Sequence, residues 1–240
     1  MKAYADTIGA EYRFDHNPTF IANTVSKWAS HLSALRPVFD EFFHEYDNVL
    51  FVDCDVFPLE GLTTNIFDEP CDDIGICEEI GEPKLRANDP GFDDERWCLE
   101  VIRKYGGKVR RTKEGHPCVY NSGVVRYTQA GMKKAFTTFN PLEAHQKHFS
   151  MFGKPLYCRD QSYMNAHMIS NAVDWTIMDT KWNTRLHYEP NTRNQIVRPV
   201  IYNKTPDTCF THVQLSGSGN WSAEKLHEAV NNRPYKWSWR

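Results

Sequence analysis

The apolar and polar positions alternate between short hydrophobic runs and segments with helical spacing. The apolar run at Asn48–Val52, within "NVLFVDCD", predicts a buried strand, and Ile74–Cys77 predicts another. The segment "DDERWCLEVIRKYGG" has acids at its start, bases near its end and glycines beyond it, as a helix does. Strands that alternate with helices predict an α/β fold, organised as a single domain over residues 1–240 with a mostly parallel central sheet.

The remaining elements follow from the same patterns. Helices are predicted at the N-terminus with Gly9 as C-cap, in a segment broken at Pro37, at Ala130–Phe139, from Asp160 onward, and at Ser222–Asn231. Strands are predicted at Glu11–Phe14, on either side of Asn121, in "VDWTIMD" and at the start of "CFTHVQLSGSGNW". Residues 81–93 are predicted as a surface loop, and residues 180–208 as irregular.

Composition excludes several classes of protein. The net charge is −3 without a block of like charge, so no nucleic-acid partner is expected. Seven cysteines are scattered singly, which disfavours a disulfide framework and a zinc site and favours a reducing, cytoplasmic location. No apolar run approaches the roughly 18 residues of a membrane span.

Both ends of the chain leave alternatives open. A nucleotide-binding α/β domain normally opens with a strand, whereas this chain opens with a predicted helix. Either the domain starts with a helix, or the first nucleotide-binding strand is missing from the chain or supplied otherwise. After the last helix, within residues 222–240, the tail "RPYKWSWR" at 233–240 combines aromatic and basic residues. Such a tail suits peripheral contact with a membrane, or packing on the domain.

Asp53 and Asp55 follow the first buried strand. Strand alternation would point both carboxylates to one face while Cys54 points into the packing. Two close carboxylates repel each other, and a divalent cation such as Mg²⁺ or Mn²⁺ removes that cost. The alternatives are a turn with aspartate capping, or a phosphatase of the haloacid-dehalogenase type with Asp53 as nucleophile. Such phosphatases place that aspartate on the first strand, whereas a helical region of some twenty residues and an earlier strand, Glu11–Phe14, are predicted to precede it here. The later lysine and acidic pair of these phosphatases do not occur in suitable places either.

Four stretches in this order, over roughly residues 24–222, resemble the retaining glycosyltransferases of the glycogenin and bacterial lipopolysaccharide-galactosyltransferase type. They are "EYDNVLFVDCDVFPLEGLTTNIFD", "CVYNSGVVRY", "RDQSYMN" and "THVQLSGSGNW". The resemblance implies a Rossmann-like GT-A domain that transfers a sugar from a nucleotide-sugar, usually a UDP-sugar, to a glycan, lipid or protein acceptor. It also implies Mn²⁺ or Mg²⁺ as cofactor. A non-catalytic carbohydrate-binding protein with the same fold is the further alternative.

The resemblance also implies roles for individual residues. Asp53 would meet the ribose and the metal, Asp55 would bind the metal, and His212 would be the third protein ligand. By the same resemblance, Asn121, Ser122 and Gly123 would line the donor sugar and the acceptor side. Asp160 and Gln161 would be the catalytic residues, which hold the sugar hydroxyls or, for one of them, face the anomeric carbon.

Several of these positions have simpler interpretations. The Asn-Ser-Gly stretch is also what a β-bulge or turn would contain, and Asp160 is also a suitable N-cap for its helix.

Phosphate contacts are expected from two further places. Arg36 lies near a basic position of the family. The family's closing lysine is absent, so either backbone N–H groups around Gly217 or an arginine from elsewhere in the chain would bind phosphate instead. Glu78 and Glu79 are candidates for a base if the reaction inverts. His145 and His148 lack a motif and are expected on the surface.

Overall fold

The structure is a computed structural model that describes residues 1–16, 29–190, 197–201, 205–213 and 222–231. The helices in this part of the chain are α1 (Lys2–Ile8), α2 (Arg36–Phe39), α3 (Glu82–Ala87), α4 (Asp94–Tyr105), α5 (Gln129–Thr138), α6 (Leu142–Phe149), α7 (Asp160–Ile169) and α8 (Ala223–Asn231). The strands are β1 (Asn48–Val52), β2 (Val56–Pro58), β3 (Ile74–Glu78), β4 (Tyr120–Thr128), β5 (Trp175–Met178), β6 (Thr184–Pro190), β7 (Val197–Ile201) and β8 (Phe210–Val213).

The chain divides into two compact units. Unit 1 comprises the described residues of Met1–Phe14, Val52–Glu69 and Asp179–Arg240. Unit 2 comprises those of Asp15–Phe51 and Pro70–Met178. The single domain proposed for residues 1–240 stays a prediction.

Each unit is built around one four-stranded sheet. The sheet of unit 2 has the order β1-β4-β3-β5, with its first strand ending at the unit boundary, and the sheet of unit 1 has the order β2-β8-β6-β7. In unit 2, β3 pairs antiparallel with β4 and parallel with β5. In unit 1, β8 pairs antiparallel with β2 and parallel with β6, while β6 and β7 are antiparallel. The α/β class is confirmed.

The prediction of a mostly parallel sheet is wrong in detail, because both sheets are mixed. An apolar run reports burial on both faces of a strand and does not report the direction of its neighbours. Strand β4 shows this clearly: it is buried at nearly every position although its partner β3 runs antiparallel to it.

The cores consist of aliphatic and aromatic side chains. In unit 2, one cluster includes Leu35, Ile76, Val125, Met132 and Tyr163, and a second forms around Trp97, Val101, Phe149, Tyr157 and Ile169. In unit 1, Leu59, Val213 and Val230 pack together. Burying each such large side chain stabilises the fold by about 1.5–3 kcal/mol.

The local predictions near the N-terminus are partly confirmed. Helix α1 ends at Gly9, whose left-handed φ of 71° directs its N–H to the carbonyls of Ala5 and Asp6. A 3₁₀ helix at Ala29–Leu35 precedes α2, and Pro37 lies in the first turn of α2. The predicted break at Pro37 is therefore confirmed. The predicted strand at Glu11–Phe14 is wrong, because these residues form no strand.

Two predicted loops contain regular structure. Residues 81–93 include α3, which Pro83 opens at a position where no backbone N–H is needed. Residues 180–208 include β6 and β7, which pair with each other from Leu186↔Ile201 to Pro190↔Val197. A short hairpin with polar residues carries little periodicity, so only its cross-strand partner defines it.

Candidate functional site

Asp53, Asp55 and His212 meet in unit 1. Each offers one ligand atom, and these atoms all lie within 4.8 Å of one another. A turn follows β1, in which the N–H of Val56 donates to the carbonyl of Asp53 at 3.1 Å. Strand β2 then pairs with β8 so that Val56 lies opposite His212. The pairing of β2 with β8 therefore brings a histidine from late in the chain to the two aspartates.

The predicted reason for the convergence of the aspartates is wrong, although the convergence itself is found. Residues 53–55 form a turn and not an extended strand, and Cys54 is exposed instead of packed. The turn is held by the Val56 bond and by the N–H of Val213, which donates to the carbonyl of Asp55 at 2.8 Å. Two backbone bonds thus position the carboxylates, and strand alternation does not.

Both ring nitrogens of His212 lie close to an oxygen of a polar side chain. Its Nδ1 lies 3.0 Å from Oδ1 of Asn183, and its Nε2 lies 3.2 Å from Oδ1 of Asp55. Nδ1 donates a hydrogen bond to the amide oxygen of Asn183, and this bond directs Nε2 toward Asp55. His212 is buried, whereas both aspartates are partly exposed. The site is therefore closed on the histidine side and open to solvent on the carboxylate side.

Asn183 was missed by the sequence analysis. It follows the 3₁₀ turn Thr180–Trp182 and precedes β6, inside a stretch predicted to be irregular. The parallel pairing of β6 with β8 brings it to His212, with Arg185 opposite His212 in the register. No motif in the sequence marks this asparagine.

The donor set fits a divalent cation. Carboxylate oxygens and an imidazole nitrogen are ligands that Mn²⁺ accepts, and the two carboxylates alone also suit Mg²⁺. Two ligands about 2.1 Å from one ion lie roughly 3 Å apart at right angles and roughly 4 Å apart on opposite sides. The observed separations, from 3.2 Å for the histidine and Asp55 up to the 4.8 Å limit of the cluster, are close to this range.

The cysteine between the two aspartates does not join this donor set. Partial desolvation, followed by the charges of Asp55 and Asp53, raises the pKa of the Cys54 thiol. A protonated thiol is a poor ligand for a hard cation. The candidate ligands are therefore the carboxylates of Asp53 and Asp55 and the imidazole of His212.

A second polar cluster lies in unit 2, around the strand β4. The register between β3 and β4 jumps from Ile76↔Val125 to Cys77↔Asn121, so Ser122, Gly123 and Val124 form a bulge. A bulge redirects side chains. Here Asn121 Nδ2 donates to Glu79 Oε1 at 2.6 Å, and the hydroxyl of Ser122 donates to Asp160 Oδ2 at 2.6 Å. The bulge interpretation of this stretch is confirmed.

The predicted residues of the second and third motifs are brought together in this cluster. Asp160 is the first helical residue of α7 and accepts the Ser122 hydroxyl, whereas Arg159 occupies the N-cap position, so the N-cap interpretation is wrong. Gln161 Nε2 lies 3.5 Å from Glu79 Oε2. The N–H of Gly123 donates to Asn121 Oδ1 at 2.7 Å. Glu79, buried among these donors, is the member that the sequence analysis named only as a candidate base.

Arg36 does not join either cluster in the part of the chain that the structure describes. Arg36 lies in unit 2, where its guanidinium pairs with the carboxylates of Asp15 and Asp40. Its predicted role as a phosphate ligand stays a prediction. Gly217 and the tail 233–240 lie outside the described residues.

The expectation for one of the two remaining histidines is wrong. His145 is fully buried against Tyr105, Phe149 and Tyr163, whereas His148 is partly exposed and contacts Glu100. Burial lowers the pKa of His145 well below its usual value.

Two expectations from composition concern disulfide bonds and membrane-spanning segments. None of the seven cysteines, all of which the structure describes, forms a disulfide. Among the described residues, no helix has the length and apolarity needed to cross a bilayer.

Comparisons with known proteins give similarity to solved structures alone. No protein-family model and no curated protein matches the chain. Apo mouse xyloside xylosyltransferase 1 is 15% identical with a TM-score of 0.45, over 90% of this chain and 72% of that one. The apo WbbM bifunctional glycosyltransferase is 16% identical with a TM-score of 0.48, over 89% of this chain and 35% of that one. Because both TM-scores lie below 0.5, we base the functional conclusion on the geometry of the site.

Proposed function

We propose that this protein is a metal-dependent glycosyltransferase of the GT-A type, which moves a sugar from a nucleotide-sugar, most simply a UDP-sugar, to a glycan, lipid or protein acceptor. The observation that carries the proposal is the convergence of Asp53, Asp55 and His212 within 4.8 Å. The first two come from the aspartate motif and the third from the last motif, 157 positions after Asp55 in the sequence (212 − 55). The resemblance of the four motifs to glycosyltransferases implies that these three residues lie together.

Asp53, Asp55 and His212 would hold Mn²⁺ or Mg²⁺. A cation bound there would neutralise the charge that develops on the departing nucleoside diphosphate. Asp53 is proposed to contact the ribose as well. Asn183 fixes the His212 ring so that Nε2 faces Asp55, which leaves little conformational freedom to lose on metal binding.

The cluster of unit 2 is proposed to bind the donor sugar. Its residues carry amide, hydroxyl and carboxylate groups, which are the groups that pair with sugar hydroxyls. We assign Asn121, Ser122 and Gly123 to sugar contact, and Asp160 and Gln161 to the hydroxyls or to the anomeric carbon. Arg36 and the segment around Gly217 remain proposed phosphate contacts.

The test combines metal binding with turnover. We expect wild-type protein to bind Mn²⁺ in calorimetry and to hydrolyse or transfer at least one sugar from a panel of nucleotide-sugars. Asp55→Ala and His212→Ala should each weaken Mn²⁺ binding at least about 100-fold, because even the hydrogen-bond partners of ligands change affinity roughly 10- to 100-fold. Asp207→Ala, which removes an exposed acid of the same unit, is the control and should bind and turn over as wild type does. Wild-type rates in Asp55→Ala and His212→Ala would refute the site.

Two alternatives predict different results. A phosphatase would hydrolyse a generic phosphomonoester and lose that activity in Asp53→Asn. The strand at Glu11–Phe14, which argued against this alternative, is not formed, but a phosphatase gives no role to the fixed imidazole of His212. A non-catalytic carbohydrate-binding protein would show no binding of nucleotide-sugars in calorimetry with metal present.

The location in the cell is also a proposal. We propose a cytoplasmic protein with peripheral membrane contact through residues 233–240. The scattered cysteines, which form no disulfide, support the reducing compartment.

A further inference from the structure

The carboxylate of Glu79 lies at the centre of the unit 2 cluster. It follows β3 directly, and only 6% of the residue is exposed. One oxygen accepts the amide of Asn121 at 2.6 Å, and the other lies 3.5 Å from the amide of Gln161. A single side chain therefore links the bulge of β4 with the first turn of α7.

The hydrogen bonds of Asn121 fix the orientation of its side-chain amide. Its amide nitrogen donates to Glu79, and its amide oxygen accepts the N–H of Gly123 at 2.7 Å. Both ends of the amide are thus engaged, one by a charge and one by the backbone of the bulge. Hydrogen bonds to a charged group stabilise by about 1.5–3 kcal/mol, roughly twice the value for neutral pairs.

The carboxylate of Glu79 lies near the guanidinium of Arg86, a partly buried arginine. Arg86 Nη2 lies 3.9 Å from Glu79 Oε2, and the guanidinium also pairs with Glu82 at 3.2 Å and Asp94 at 3.7 Å. It lies over the ring of Phe92 at 4.9 Å. Arg86 belongs to α3, so a helix that the sequence did not predict supplies the counter-ion.

The ion pair with Arg86 does not by itself account for a buried carboxylate at this position. Replacing a buried ion pair with apolar residues of similar volume is often neutral or stabilising, because desolvation offsets the attraction. A buried carboxylate whose two oxygens face Asn121 and Gln161 therefore indicates a requirement for their orientation.

We propose that Glu79 is the positioning residue of the donor-sugar cluster: it holds the amides of Asn121 and Gln161 in the orientation in which they bind the sugar. This inference rests on the proposed glycosyltransferase function. It assigns Glu79 no proton transfer and no contact with the reacting atoms.

The test is a double-mutant cycle on kcat/KM for the donor. Glu79→Gln keeps the size of the side chain, but its neutral amide can accept through only one atom, so kcat/KM should fall about 10- to 100-fold. Asn121→Ala should have a similar effect, and the double variant should be little worse than Asn121→Ala, because both changes remove one function. Mn²⁺ affinity, set in unit 1, should stay within about twofold of wild type.

The matched control is Glu82→Gln, which removes a carboxylate from the same arginine without touching Asn121 or Gln161. It should retain wild-type kcat/KM. If Glu79→Gln fails to fold, Glu79→Asp keeps the charge beside Arg86 but withdraws it by one methylene from Asn121, and the same fall is expected. Wild-type kcat/KM in the Glu79 variants, additive effects in the cycle, or an equal fall in Glu82→Gln would overturn the inference. A wild-type protein inactive on the whole panel would overturn the proposed function and this inference together, and that result is visible without any variant.

Discussion

Two buried histidines should make unit 2 sensitive to acid. His145 and His167 are completely buried among aromatic rings, and His167 stacks on Phe139 with ring centroids 4.0 Å apart. Among the described residues, neither ring nitrogen of His167 has a hydrogen-bond partner. Burial lowers the pKa of His145 well below its usual range and lowers the pKa of His167 to about 3. Both rings are therefore neutral in the folded protein at pH values where the unfolded chain binds protons.

The size of the effect follows from linkage. The unfolded state takes up protons below a pKa of about 6.5 and the folded state does not, so the free energy of unfolding decreases as the pH falls. At pH 5.5 each histidine lowers it by about 1.4 kcal/mol relative to pH 7.5, or about 3 kcal/mol for the pair. This is a substantial share of the roughly 5–15 kcal/mol that stabilises a typical domain. The loss continues for His167 until the pH reaches about 3.

The assay is urea denaturation at pH 7.5, 6.5 and 5.5, followed by circular dichroism and tryptophan fluorescence. His167→Phe supplies an apolar ring for the stack on Phe139 and should halve the histidine-dependent loss between pH 7.5 and 5.5 to about 1.4 kcal/mol. His116→Gln removes a more exposed histidine of the same unit and should retain the loss seen in wild type. If His167→Phe loses as much stability as wild type over this range, the linkage argument is refuted.

Two further predictions concern the metal ligands and one turn. Asn183→Ala should weaken Mn²⁺ binding, measured by calorimetry, roughly 10- to 100-fold without unfolding the protein, because Nδ1 of His212 loses its hydrogen-bond partner. An unchanged Mn²⁺ affinity would mean that Asn183 does not orient the imidazole. Gly107→Ala should destabilise unit 2 by more than Gly106→Ala in urea denaturation. Both positions have positive φ, which costs about 1–3 kcal/mol for alanine, but only at Gly107 would the new methyl lie 1.8 Å from a backbone oxygen, that of Ile169.

The sequence determined the elements with strong periodicity and the identity of the candidate ligands. The apolar runs before Asp53 and at Ile74–Cys77 are strands in the structure, and the charged ends of α4 marked that helix correctly. These features depend on local chemistry, namely burial of apolar side chains, helix capping and the helix dipole, and so they can be recognised in a single chain.

Only the tertiary structure decided which of these residues meet. The direction of paired strands, the bulge in β4 and the hairpin of β6 and β7 depend on hydrogen bonds between segments far apart in the chain. The same holds for Asn183 behind His212 and for Glu79 between Asn121 and Gln161. A polar residue has no periodicity that reveals its partner, because its contacts are set by the strand register and by the burial that the whole fold imposes.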